Sequence, residues 1–321
     1  MTFASCKEVF FTQDGEIWGT TYHIVYEHEA RLDRNIDSVL HYVDSELSMF
    51  NPASSLSAIN AGSTDSVSRT FEEVFDIAAS VSRISGGVYD PTVGPLTELW
   101  GFGNSDCNTL PTTEEIAKAL STVGIGDCRV ADGHIIKKDS ATVFDFSSVA
   151  KGYGIDMVCR MLEDEGVRNY LVEIGGEVRT LGYNPKGNDW HIQIDMPQHS
   201  LLHRRLAVVS FDRNGKSMAS SGNYRNFRKR ADGSIYGHTI SPLTGLPVEG
   251  EVIAATVIAT ECAAADALAT ACMATAQAEA ADSIIKAWPG AEALFVVAAD
   301  DSATIVTTPG FEEYLTSIHP I

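Results

Sequence analysis

Asp145-Phe146-Ser147-Ser148-Val149-Ala150-Lys151-Gly152 stands at a change of periodicity in this chain. Just before its turn, residues 142–146 are short, apolar and β-prone. After it, residues 153–165 carry the spacing of a helix that Gly166 stops. Tyr170–Ile174 then reads as a strand. Strand, small-residue turn, helix and return strand set an alternation that extends in both directions.

Upstream, residues 18–27 are rich in Thr, Tyr, Ile and Val and predict a strand. Residues 33–50 place Ile36, Val39, Leu40, Val43 and Leu47 at helical spacing. Residues 70–85 repeat the pattern with Phe71, Val74, Phe75, Ala78 and Val81, and Gly86-Gly87 ends it. A third helix is expected over 112–123, capped by Thr113. Downstream, strands are expected over 190–194, 206–211, 252–259, 293–297 and 303–306, with an alanine-rich helix within 262–281. Strand runs with hairpins, interleaved with helices, predict an α+β fold with mixed or antiparallel sheets and packed helices. No composition shift marks a boundary, so one domain over 1–321 is expected, with room for two closely packed lobes.

The chain of 321 residues can bury a large core. Its 43 acids against 23 bases give a formal charge of −20. That balance argues against a nucleic-acid or anionic-membrane surface, because both demand clustered cations. No apolar run approaches the roughly 20 residues that span a bilayer. Residues 1–6 hold no positive region followed by an apolar core, so they do not read as a signal peptide. The six cysteines show no C-x-x-C pair and no zinc-type spacing; Cys262 and Cys272 read as small buried hydrophobes.

Chemistry concentrates in two stretches. In Ala265-Asp266-Ala267-Leu268-Ala269-Thr270, a carboxylate and a hydroxyl lie about one helical turn apart and point the same way. An acid on a tightly packed helix is costly unless paired or metal-bound, and hard oxygens suit Mg²⁺ or Ca²⁺. In the 145–152 turn, backbone groups and Lys151 can meet phosphates. The same turn admits another reading, because Ser148-Val149-Ala150-Lys151 fits S-x-x-K, with Ser221-Gly222-Asn223 as a second element. The third element would need Lys-Thr-Gly, and Leu243-Thr244-Gly245 lacks the lysine. No P-loop, complete G-x-G-x-x-G or G-x-S-x-G is present. The Gly/Pro/aromatic loop from Gly86 to Gly103 suits either a packed surface or a wall for a planar ligand. His238, between Gly237 and the turn at Ser241-Pro242, is placed for proton transfer near neutrality.

Taken in order, these pieces resemble the ApbE family, the FAD:protein FMN transferases. The matching segments are Trp18-Gly19-Thr20, Ser48-Met49-Phe50, Gly87 to Leu96, Leu99 to Gly103, Asp145 to Gly154, Gly175-Gly176-Glu177, Ser220-Ser221-Gly222-Asn223-Tyr224, His238 to Pro247 and Ala265 to Thr270. The resemblance implies an ApbE-like (T-fold-like) architecture and an Mg²⁺-dependent enzyme. It would cleave FAD, attach FMN by a phosphoester bond to a Thr or Ser of a partner flavoprotein, and release AMP. It implies metal ligands at Asp266, Thr270 and the carbonyl of Ser148. It implies FAD contacts at Trp18 (where the family carries methionine), Phe50, Val88, Tyr89, Asp90, Asp145, Lys151 and Ile240, and acceptor activation by His238. Asn223 stands where the family often has Asp. An extracytoplasmic, periplasmic-side location through a lipid anchor on the precursor is also implied. An FAD pyrophosphatase giving FMN and AMP, and a non-catalytic FAD-binding protein, are the alternatives.

Overall fold

Alternating apolar residues build a sheet of eight strands in which every neighbouring pair is antiparallel. The order is Val9–Ile17, Thr20–His28, Tyr170–Ile174, Glu177–Leu181, Ser217–Gly222, Val252–Ala259, Glu292–Ala299 and Ser302–Thr307. The computed structural model describes residues 9–102, 110–196, 205–222, 227–229, 235–237, 239–299 and 302–319. No helix among the described residues is long and apolar enough to cross a membrane.

One face of this sheet meets a smaller antiparallel sheet formed by Trp190–Asp195, Arg205–Phe211 and Leu315–Ile318. Val25, Val178, Met218 and Ile258 from the large sheet are buried there against Ile192, Leu206, Val209 and Phe211. The other face carries helices. Tyr22, Ile24 and Tyr26 alternate with Val25 and bury against Ile36 and Leu40 of helix Asp33–Leu47 and Ile155 and Val158 of helix Ala150–Asp164. Beside them lie helices Arg69–Ile84 and Cys262–Ala274.

Helix Cys262–Ala274 has no polar side: every residue except Thr270 is buried. A helix enclosed on all sides needs small side chains, and alanine supplies them while favouring the helix. Close approach reaches its limit at Gly152, where an added Cβ would stand 2.3 Å from the carbonyl oxygen of Cys262.

The expected α+β class with antiparallel sheets is observed, and most predicted elements lie within a few residues of their places. Four differences have physical causes. Residues 142–146 form no strand; side-chain bonds take the place of ladder bonds. Asn60 bonds both the N–H and the carbonyl of Phe144 at 2.8 Å, and the Asp145 N–H donates to Pro91 O at 2.6 Å. The cap of helix Thr113–Leu120 is Thr112, whose side chain and Glu115 form a reciprocal capping box. The alanine-rich stretch divides into Cys262–Ala274 and Ala278–Lys286, parted at Ala276, which adopts φ 64°. Leu315–Ile318, Val9–Ile17, Glu177–Leu181 and Ser217–Gly222 are among the strands that the sequence does not announce. The last is Ser-Met-Ala-Ser-Ser-Gly, a poor strand former that pairs along Val252–Ala259.

Gly152→Ala should therefore lower stability by about 1–3 kcal/mol through forced separation of two packed helices. Urea unfolding monitored by circular dichroism measures this; an unchanged midpoint would contradict the close contact.

Candidate functional site

Two cavities meet where helix Ala150–Asp164 begins. The first, about 380 Å³, is lined by Val88, Tyr89, Asp90, Asp145, Ser148, Lys151, Glu177, Ser220, Ser221, Thr239, Ile240, Asp266 and Thr270, among others. The second, about 660 Å³, is more apolar and is lined by Trp18, Val43, Leu47, Met49, Phe50 and Ala150. Ser147 and Lys151 line both. Every site residue expected from sequence and falling among the described residues thus borders one cavity or the other. His238 lies outside the described residues, as do Gly103, Asn223 and Tyr224. Thr239, next in the chain to His238, lines the first cavity.

A buried carboxylate one turn below sets the geometry. Asp156 is 1% exposed. It accepts hydrogen bonds from the N–H groups of Cys262 at 3.0 Å and Ala263 at 2.9 Å, and it pairs with Arg179 at 2.5 Å. Glu261, at the N-cap position of the alanine helix, makes no side-chain cap there. A distant aspartate therefore satisfies the helix's first amides. Burial pushes the Asp156 carboxyl upward, and the Arg179 guanidinium and the two amides pull against that.

One turn earlier along helix Ala150–Asp164 and one turn later along helix Cys262–Ala274, the same elements present their functional groups. Asp266 Oδ2 accepts from the Gly152 N–H at 3.1 Å and lies 3.6 Å from Lys151 Nζ. Lys151 Nζ donates to Glu177 Oε1 at 2.8 Å. Burial opposes the charge on Lys151, but the Asp266 and Glu177 carboxylates outweigh it and hold the ammonium above the ordinary lysine pKa. Burial pushes the Glu177 carboxyl up to about 7, with the Asp266 charge adding to the rise and Lys151 opposing it. Glu177 Oε2 is buried with no hydrogen-bond partner among the described residues.

Ser148 Oγ donates to the hydroxyl of Tyr89 at 3.0 Å, not to Lys151. The S-x-x-K tetrad is thus not joined as nucleophile and base, which removes the main support for the serine-nucleophile reading. Asp145 Oδ1 accepts from the Ser147 N–H at 2.9 Å, and burial raises its carboxyl above the ordinary value. Asp90 spends its oxygens on internal contacts, accepting from Thr92 N–H at 2.8 Å and Thr92 Oγ1 at 2.6 Å in its own loop and from the distant Ile125 N–H at 2.9 Å. Its contribution to the cavity is the shape of the wall. Trp18 adopts φ 50°, and its Nε1 is buried without a partner among the described residues. Phe50 lines the second cavity and is 64% exposed, so its ring is open to contact by a planar group.

The oxygen-bearing residues Ser148, Asp266 and Thr270 line one cavity, and Asp266 is held in place by the Gly152 amide. These hard oxygens fit a magnesium-type ion that keeps water or phosphate oxygens in its remaining positions. No group of three or more His, Cys, Asp or Glu occurs among the described residues, so a site of the all-carboxylate kind is not formed by them.

Glu177 is the site residue that sequence reasoning passed over. In the sequence it stands out only as the residue after Gly175-Gly176, which form the turn of a two-residue hairpin with φ of 66° and 104°. Nothing in Glu-Val-Arg-Thr-Leu marks its first residue as buried beside a lysine.

The sequence pattern of the ApbE family matches residues 18–295. The chain belongs to the ApbE family. It is 33% identical over 255 residues to the FAD:protein FMN transferase of Vibrio cholerae, covering 76% of this chain and 75% of that one. It is 32% identical over 277 residues to the protein of the same name from Haemophilus influenzae, covering 81% and 79%. Among solved structures, the flavin transferase ApbE of Vibrio cholerae superposes with a TM-score of 0.85 at 31% identity, over 96% of this chain and 100% of that one. The apo flavinyl transferase ApbE of Pseudomonas stutzeri gives 0.84 at 30% identity, over 97% and 98%. The ApbE fold expected from the sequence is thus the fold observed.

Two outcomes follow from the buried charges. Asp156→Ala should cost about 3–5 kcal/mol, since Arg179 would keep only its longer pair with Glu163 at 3.6 Å and the Cys262 and Ala263 amides would lose their acceptor; urea unfolding measures it. Glu177 has a folded pKa of about 7 against 4.5 for the free group, so the folded chain binds its proton more tightly. Its contribution to stability is complete below pH 4.5 and is lost as pH rises toward about 7. Glu177→Gln should flatten the stability profile across that window in urea titrations at stepped pH.

Proposed function

We propose that this protein is an Mg²⁺-dependent FAD:protein FMN transferase that joins FMN by a phosphoester bond to a Thr or Ser of a partner flavoprotein and releases AMP. The observation that carries the proposal is the junction of the two cavities at Lys151 and Ser147. FAD has two planar ring systems joined by a pyrophosphate. A cation at the junction, hard oxygens on one side and an aromatic-rimmed cavity on the other match that division. Membership of the ApbE family and the names borne by its relatives support the same reading.

Phosphoryl transfer needs positioning and charge neutralisation more than covalent catalysis. Ser148, through its carbonyl, with Asp266 and Thr270, would hold the Mg²⁺, which when bound supplies charge neutralisation to the pyrophosphate and the departing AMP. Lys151 adds a positive charge where phosphates would otherwise meet the field of a strongly acidic chain. The Gly152 amide keeps Asp266 in one orientation. Trp18 and Phe50 offer ring faces to a flavin or adenine, and Val88, Tyr89 and Ile240 wall the polar cavity. His238 would take the proton from the acceptor hydroxyl as its oxygen bonds to the FMN phosphorus and the bond from that phosphorus to the AMP oxygen breaks. The reading places this step on the periplasmic side, with the precursor lipid-anchored.

Incubation with FAD, Mg²⁺ and a flavoprotein bearing an acceptor Thr should give covalent flavin fluorescence on the acceptor in a denaturing gel, with AMP released. Free FMN and AMP instead would identify a pyrophosphatase, and bound but unchanged FAD a carrier. Asp266→Ala should lower transfer by roughly 100-fold or more. His238→Ala should impair transfer while FAD binding, read by flavin fluorescence, stays largely intact.

A further inference from the structure

The first cavity contains more buried charge than the proposed reaction uses. Lys151 Nζ lies between two carboxylates, 2.8 Å from Glu177 Oε1 and 3.6 Å from Asp266 Oδ2. Both acids are almost fully enclosed, with side chains 7% and 4% exposed. Glu177 is not among the groups proposed to hold the metal, and its second oxygen has no partner among the described residues. An unpartnered carboxylate oxygen in a protein interior is costly unless a cation or donor reaches it in some state of the molecule.

We infer that Lys151 is a tethered counter-ion that competes with the divalent cation for Asp266, and that Glu177 is the positioning residue that receives the ammonium when the cation binds. This rests on the metal reading given above. Without metal, the ammonium offsets Asp266 and makes the empty site tolerable, since an uncompensated buried carboxylate is strongly unfavourable. A divalent ion on Asp266 repels an ammonium held beside the same oxygen. Lys151 lines both cavities, so a small rotation about its flexible stem can move the charge without moving the backbone. Glu177 then anchors it through both oxygens, at the junction where the pyrophosphate is placed. The cation site and the phosphate-binding charge are thereby linked: filling the first releases the second.

Titration of Mn²⁺ into the substrate-free protein, with free ion read by electron paramagnetic resonance, tests this without any turnover. The wild-type chain should bind an ion that Asp266→Ala abolishes. Lys151→Met should bind it about tenfold more tightly, because the competitor is gone, and Lys151→Gln should do the same. Glu177→Gln should bind it about tenfold more weakly, because the ammonium then leans wholly on Asp266. In the Lys151→Met background the Glu177→Gln effect should largely vanish, since Glu177 acts through the lysine. Unchanged or weaker binding by both lysine variants overturns the competition. A Glu177→Gln effect that persists in full without the lysine overturns the positioning role. Loss of binding in Asp266→Ala together with indifference to Lys151 rejects this inference alone; binding indifferent to Asp266→Ala, or absent in the wild type, rejects the metal assignment with it.

Discussion

Asp156 joins three elements that are far apart in the chain. Its carboxylate meets the first amides of helix Cys262–Ala274, the guanidinium of Arg179 in strand Glu177–Leu181, and through its own backbone helix Ala150–Asp164. A buried ion pair gives little net stability over an apolar equivalent, but it is unforgiving of misplacement. Here the consequence is register. Gly152 lies one turn before Asp156, Asp266 one turn after Cys262, and Glu177 two residues before Arg179 on the same side of the strand. Fixing the lower set of contacts brings Lys151, Glu177 and Asp266 together above it.

The alanine helix makes this arrangement possible. Larger side chains would hold helix Ala150–Asp164 away and open the distance between Gly152 and Asp266. The same packing isolates the charges from water on one side, which strengthens their interactions and makes an unmatched charge expensive. An acidic chain has thus enclosed a lysine among acids, where an anionic ligand would otherwise meet only negative charge. The large sheet supports the arrangement from below, and the small sheet covers its opposite face, so the site elements are held by packing on both sides of the sheet.

Much of the fold was legible in the chain. Ile36, Leu40, Val43 and Leu47 mark their helix by spacing, and Tyr170–Ile174 and Val252–Ala259 mark their strands by composition. Ser217–Gly222 was not legible, because its small polar residues are held as a strand by pairing with Val252–Ala259. Residues 142–146 misled for the converse reason: their β-prone side chains fill the core as Phe144 and Phe146, while Asn60 takes the hydrogen bonds of a missing neighbour. In the site, Asp266 and Thr270 were readable because one helix sets their spacing. Glu177 and Asp156 were not, because each acquires its role from residues distant in sequence.

The sequence by itself determined the α+β class, the two polar stretches and the family pattern, since each depends on local periodicity or on residues quoted in order. Only the tertiary structure decided that Ser148 faces Tyr89, that Lys151 stands between Glu177 and Asp266, and that two cavities share that lysine. Those are contacts between elements separated by many residues, and their energies depend on burial and distance, which no local pattern encodes.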